Sequence, residues 1–180
     1  MVVIMEKRDL YDKDRKLIGK TINKGEEPPE GTYIQVVLVF IQNSDGKFLI
    51  QKRSKEKNGL YATTGGHPKE GETSRQGIIS EVKEELGIDL DNEKLEWYFG
   101  GREDSERVFW DDYYIKMDDI DINNLKLQKE EVDSVLWLSA EEIIDLKNKN
   151  MFFLNHFEEF EELLKWLKKE KDESNICNKE

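Results

Sequence analysis

An α+β fold, with a mixed β-sheet packed between helices as an α/β/α sandwich, is the architecture that the 180-residue sequence predicts. Three observations predict it. Runs rich in β-branched and aromatic residues stand on both sides of one helical stretch. Strands and helices do not alternate strictly, as a doubly wound parallel sheet requires. The chain then closes on two helical patterns. Such a length supports one hydrophobic core. One main domain is therefore expected at 31–168, with an N-terminal hairpin at 1–30 packed on it and a flexible polar tail at 169–180.

Taken in order, residues 10–26 alternate in character about an Asp-Lys-Asp-Arg turn and read as a short hairpin, which EEPPEG ends. From Thr32, TYIQVVLVFIQN is a strand, NSDGK a turn and KFLIQKR the returning strand. The stretch 54–72 is turn-rich. A helix follows from Ser74 to Leu86 and stops at Gly87, a residue suited to the left-handed conformation that ends helices. KLEWYFGG and ERVFWDDYYIKM are two more strands, DDIDINNLKLQKEE an acidic connection and VDSVLWLS a further strand. Ser139 and Glu142 form a capping box that opens a short helix, and MFFLNHFEEFEELLKWLKK closes the domain as an amphipathic one.

The formal net charge of −12 argues against a duplex nucleic-acid surface, which neutralises phosphates with clustered Lys and Arg. No apolar run is long enough to cross a bilayer, and no export signal stands at the N-terminus. The single cysteine, Cys177, has no partner for an intramolecular disulfide. A cytoplasmic protein is expected. A homodimer through exposed strands is compatible with the sequence, which does not demand one.

On the helix, Ile78, Ile79, Val82 and Leu86 gather on one face to meet the sheet, and Glu81, Glu84 and Glu85 share the neighbouring one. Like charges at that spacing repel, so a cation among them is expected. Mg²⁺ or Mn²⁺ suits oxygen donors and commonly shares its remaining positions with substrate phosphates. The glycines of GGHPKEGE let backbone approach such an ion. A solvated acidic face in an acidic protein is the plainer reading of the same charges.

The segment resembles the signature of the Nudix hydrolases, on Gly66, Glu72, Glu81, Val82, Glu84, Glu85, Gly87 and Ile88 in register. Ser80 stands where that signature has an arginine, and Lys83 is a candidate to replace its charge. The resemblance implies a metal-dependent hydrolase of an organic diphosphate, nucleotide-linked or related. Glu81, Glu84 and Glu85 would hold Mg²⁺ or Mn²⁺ with a carbonyl of Gly65 or Gly66, and Glu72 would brace loop and helix. A further glutamate before a tryptophan-bearing strand often serves as base, which points to Glu130 or Glu131, of which Glu131 is preferred.

A wider stretch, roughly 8–145 and including His67-Pro68, resembles the branch near isopentenyl diphosphate isomerases. Those enzymes carry a cysteine where this chain has Gly65, and metal-binding histidines where it has only His67 and His156. Hydrolysis is therefore preferred to isomerisation. A weakly catalytic diphosphate-binding module is the remaining alternative, motivated by Ser80. Lys52 and Arg53 lie on opposite faces of their strand, so one of them is expected to meet phosphate, with His67 beside it. Lys55, Lys57 and Arg102 are nearby cations. His156 is read as structural. Trp97, Phe99, Trp110, Tyr113 and Tyr114 would pack the core or line a pocket, and Asp111 and Asp112 would face a metal or protect an edge strand.

Overall fold

The β3–β4 hairpin, Ile34–Gln42 and Phe48–Arg53, is paired at its turn end only, Gln42 opposite Phe48. Beyond that pair the two strands part. A short strand, Thr64–Gly66 (β6), then takes the edge of β3, with Val37 opposite Gly66 and Leu38 opposite Gly65. Strand β4 pairs instead with Tyr61–Ala62 (β5) and with Val132–Leu138 (β9). This opening of the hairpin makes the cleft described below. The computed structural model describes residues 6–118 and 120–177, with side chains described to residue 174. The Cys177 side chain and the last three residues of the expected tail lie outside that range.

Across the sheet, β3 runs parallel to β8 (Val108–Lys116) over its full length, from Ile34 opposite Val108 to Gln42 opposite Lys116. Strand β7 (Glu96–Glu103) pairs antiparallel with β8 on its outer side. Strand β8 is thus internal, and the edge-strand reading of Asp111 and Asp112 does not hold. The sheet is mixed, and helices cover both faces.

Helix α1 (Ser74–Leu86) has the predicted bounds. Thr73 caps it in a reciprocal box with Gln76, and Gly87 ends it at φ 72°. Its Ile78, Val82 and Leu86 are buried against Val37, Val39, Tyr113 and Ile115. On the other face lie α2 (Ala140–Asn148), capped by Ser139 and Glu142 as expected, and α3 (Leu154–Cys177). Their Ile143, Phe157, Phe160 and Leu163 pack on Phe40, Phe48 and Tyr114. Helix α3 runs well past residue 168, so 169–177 are helical turns where the sequence suggested an aperiodic tail. No helix among the described residues is long and apolar enough to cross a membrane.

The N-terminal hairpin, β1 (Lys7–Tyr11) and β2 (Leu17–Asn23), is a separate two-stranded sheet. It docks through paired hydrogen bonds between Tyr11 and Tyr33 and a small core of Leu10, Ile22 and Ile34. Arg15 adds an ion pair to the buried Asp111, which also accepts from Trp97 Nε1 at 3.0 Å. Asp112 points to the other face, fully buried, where burial and the charge of Glu159 push its carboxyl far up and hold it protonated. Neither aspartate faces the cleft.

Candidate active site

A cleft of about 330 Å³ opens where β3 and β4 part. Glu81, Glu84 and Glu85 of α1 enter it from one side, with Gly65, Gly66 and His67 of the preceding loop. Arg53, at the end of β4, and Gln51 line it from that strand. Glu131, just ahead of β9, Lys57, Phe153 just before α3 and His156 in its first turn also line it.

The three helix carboxylates differ in surroundings despite sharing a side. Glu85 is buried and accepts from Gln51 Nε2 at 3.2 Å. Glu81 is partly buried and accepts from the His67 backbone N–H at 3.1 Å. Burial pushes both carboxyls up to about 7, with the charge of Glu81 adding to the shift at Glu85. Glu84 is exposed and ion-paired with Lys69. Burial pulls His67 down to about 3, with Arg8 and Lys24 pulling the same way, so its imidazole is neutral.

Glu131 Oε1 lies 3.0 Å from Lys57 Nζ, and its backbone oxygen accepts from Ser54 N–H at 2.8 Å. Its neighbour Glu130 is exposed and does not line the cleft. Arg53 lies over the Phe153 ring, 5.2 Å from its centre, and has no carboxylate partner among the described residues. A family model, the NUDIX domain, matches residues 32–167. A Nudix hydrolase of Listeria monocytogenes is 37% identical over 163 residues, covering 84% of this chain and 92% of its own length.

The chain belongs to the Nudix family. As an enzyme it is a Nudix-type pyrophosphohydrolase, and the relatives in two Listeria species are named Nudix hydrolases. A Deinococcus radiodurans crystal structure shares the fold with a TM-score of 0.66 at 21% identity, covering 82% of this chain and 91% of that one. The NUDIX domain of Shewanella oneidensis NrtR, crystallised with ADP-ribose, does so with 0.59 at 17%, covering 75% and 88%.

Within this Nudix cleft the structure brings together Gly65, Gly66, His67, Arg53, Glu81, Glu84, Glu85 and Glu131. Lys52 is not among them. Its ammonium lies over the Tyr61 ring at 6.0 Å, on the opposite strand face from Arg53. Lys83 does not replace the missing arginine, because its ammonium is 2.6 Å from Asp89 at the surface. None of the five expected aromatics lines the cleft: Tyr113 packs under α1, Tyr114 packs under α3 and Trp97 is exposed. His156, read as structural, does line it, with burial lowering its pKa to about 4. Sequence reading also missed Arg8, Lys24 and Phe153, each distant in the chain from the signature or hidden in an ordinary amphipathic pattern.

The residues fit a small divalent cation by donor type. Three carboxylates supply hard oxygen, two of them at an electrostatic cost that a cation would remove. Gly66 gives them room, since a Cβ there would stand 2.7 Å from Glu81 Oε2. Among the described residues no three acidic, histidine or cysteine side chains converge on one point, because Glu84 is turned to Lys69.

Proposed function

We propose that this Nudix protein is a Mg²⁺- or Mn²⁺-dependent hydrolase of an organic diphosphate. One observation carries the reading: Glu81, Glu84, Glu85 and Glu131 line a single cleft together with Arg53, which has no carboxylate partner among the described residues. Glu81, Glu84 and Glu85 would hold the metal, with a carbonyl of Gly65 or Gly66. When bound, that ion neutralises diphosphate charge and makes water a stronger nucleophile. Arg53 binds phosphate oxygens, and the neutral His67 and His156 offer hydrogen bonds without competing charge. Glu131, oriented by Lys57, takes the proton as water attacks one phosphorus and the bridging oxygen leaves with the other half.

A Mg²⁺-dependent screen tests this, across nucleoside diphosphate sugars such as ADP-ribose, dinucleotides and prenyl diphosphates, with products identified by phosphorus NMR. Turnover of at least one member is expected. Replacing Glu84 and Glu85 together with Gln should abolish it, and unchanged turnover in that variant refutes the ligand assignment. A cytoplasmic setting, a diphosphate small molecule as partner and no duplex nucleic acid or membrane belong to the same proposal.

The wider likeness to isopentenyl diphosphate isomerases supports a reading of the branch rather than of the chemistry. At Gly65 a Cβ would stand 2.7 Å from the Val37 carbonyl oxygen, so no thiol side chain fits there while β6 pairs with β3. Dimethylallyl diphosphate formed from isopentenyl diphosphate would overturn that preference.

A further inference from the structure

The family domain begins at residue 32, yet Glu6, Arg8 and Lys24 from before it line the cleft. We propose that Arg8, delivered by the N-terminal hairpin, is a phosphate-binding residue of this cleft. The inference rests on the diphosphate reading above and adds a ligand from outside the domain that the family defines.

The hairpin holds Arg8 in place on both sides. Lys7 O accepts from the Glu70 N–H at 2.9 Å, and the Asp9 carboxylate accepts from the Gly71 N–H at 2.7 Å. Both donors sit in the loop that leads into α1, so the backbone of Arg8 is tied to the segment that positions the helix carboxylates. In register Arg8 stands opposite Ile22, and Ile22 is buried in the small core under the hairpin. Residues opposite one another in an antiparallel pair share a face. Arg8 therefore belongs to the inward face, its hairpin anchored by apolar contacts.

The guanidinium is poorly served by the protein itself. Its Nε is buried without a hydrogen-bond partner. Among the described residues it is ion-paired with no carboxylate. A buried donor left unpaired is costly, and such groups call for an acceptor. Burial weakens the charged form of Arg8, while the charges of Glu6 and Glu81 sustain it. The other cations on this side are engaged: Lys24 with Glu6 at 3.2 Å, Lys69 with Glu84 and Lys83 with Asp89. Ser80 spends its hydroxyl on Glu72. Among the described residues Arg8 and Arg53 are the cleft arginines, and neither has a carboxylate partner. The fork of a guanidinium matches two phosphate oxygens at once.

Calorimetric titration of inorganic pyrophosphate in the presence of Mg²⁺ tests this on the wild type, Arg8→Gln and Arg8→Lys. Arg8→Gln should weaken pyrophosphate about tenfold to a hundredfold, the loss of charged hydrogen bonds. Mg²⁺ alone should bind it as it binds the wild type. Arg8→Lys keeps the charge without the fork and should fall between. In turnover of any diphosphate substrate, KM should rise more than kcat falls. A folded Arg8→Gln that binds pyrophosphate as the wild type does overturns the inference and leaves the diphosphate reading standing. If Arg8→Gln does not fold, Arg8→Lys decides by the same comparison. A wild type that binds no pyrophosphate with Mg²⁺ overturns the diphosphate reading, and this inference with it.

Discussion

Ser80 Oγ donates a 2.7 Å hydrogen bond to Glu72 Oε1, and the other oxygen of Glu72 accepts from the Lys69 N–H at 2.8 Å. Glu72 therefore ties the glycine loop to the helix that carries the site, and a hydroxyl does part of the tethering where the family signature has an arginine. Ser80→Ala leaves the Lys69 bond in place and should cost about 1 kcal/mol in stability with a small drop in kcat. Glu72→Ala removes both bonds and should lower kcat several times further. Thermal unfolding and steady-state turnover of the two variants check the ranking.

Lys69 holds Glu84 by an ion pair at the mouth of the cleft. Burial works against its ammonium, but the hydrogen bond and charge of Glu84 outweigh that and raise its pKa above the ordinary value. A bound cation has to take Glu84 from this partner. Lys69→Met should therefore tighten Mg²⁺ binding by about two- to fivefold, the scale of an exposed ion pair, as measured by metal titration. Weaker Mg²⁺ binding in the variant would show that Lys69 helps to assemble the metal site.

Glu85 titrates at about 7 in the folded chain against an ordinary 4.5, so it favours folding below pH 4.5 and loses that contribution as pH rises to about 7. Glu85→Gln carries no such loss. In chelator the variant should match the wild type near pH 4 and exceed it above pH 7, by up to ~3 kcal/mol at the linkage rate for a single group. His67 and His156 titrate low, at about 3 and about 4, and act in the opposite sense, but they are common to both proteins and cancel in the difference. Denaturant unfolding at the two pH values measures it. Added Mg²⁺ should reverse the order above pH 7.

Gly66→Ala puts a methyl group against the Glu81 carboxylate. The carboxylate must move, and the hydrogen bond from His67 N–H goes with it. Overpacking of this kind costs about 1–3 kcal/mol, and turnover should fall by more than tenfold because the displaced group is a proposed metal ligand. Denaturant unfolding and steady-state kinetics read the two effects separately.

Helix α1 was legible to the residue because a 3.6-residue apolar period met a glycine able to adopt positive φ at its end. That Glu81, Glu84 and Glu85 share one side was legible in their spacing, but only the resemblance to the Nudix signature told a site from a solvated acidic face. Strand β6 was not legible, since Thr64-Gly65-Gly66 has little strand propensity and is extended only because β3 offers it a free edge. Sequence named Glu130 and Glu131 together with a preference for the latter, and the hydrogen bond from Ser54 N–H to the Glu131 backbone oxygen is part of what places Glu131 at the cleft. Arg8 lies 73 residues before Glu81, and no local pattern announces a contact over that distance. Phe153 and His156 looked like ordinary members of an amphipathic helix start, and only the packing of α3 turns them toward the site.

The parallel pairing of β3 with β8 joins residues more than seventy positions apart, with the whole glycine loop and α1 in the intervening span. On a ribosome, the apolar face of α1 has no complete surface to settle on until Tyr113 and Ile115 have been made. A nascent chain halted before residue 108 would carry every signature glutamate and still be unable to fold them into a working pocket. Newly made enzyme should gain affinity for pyrophosphate late and abruptly, as the last strands of the sheet close.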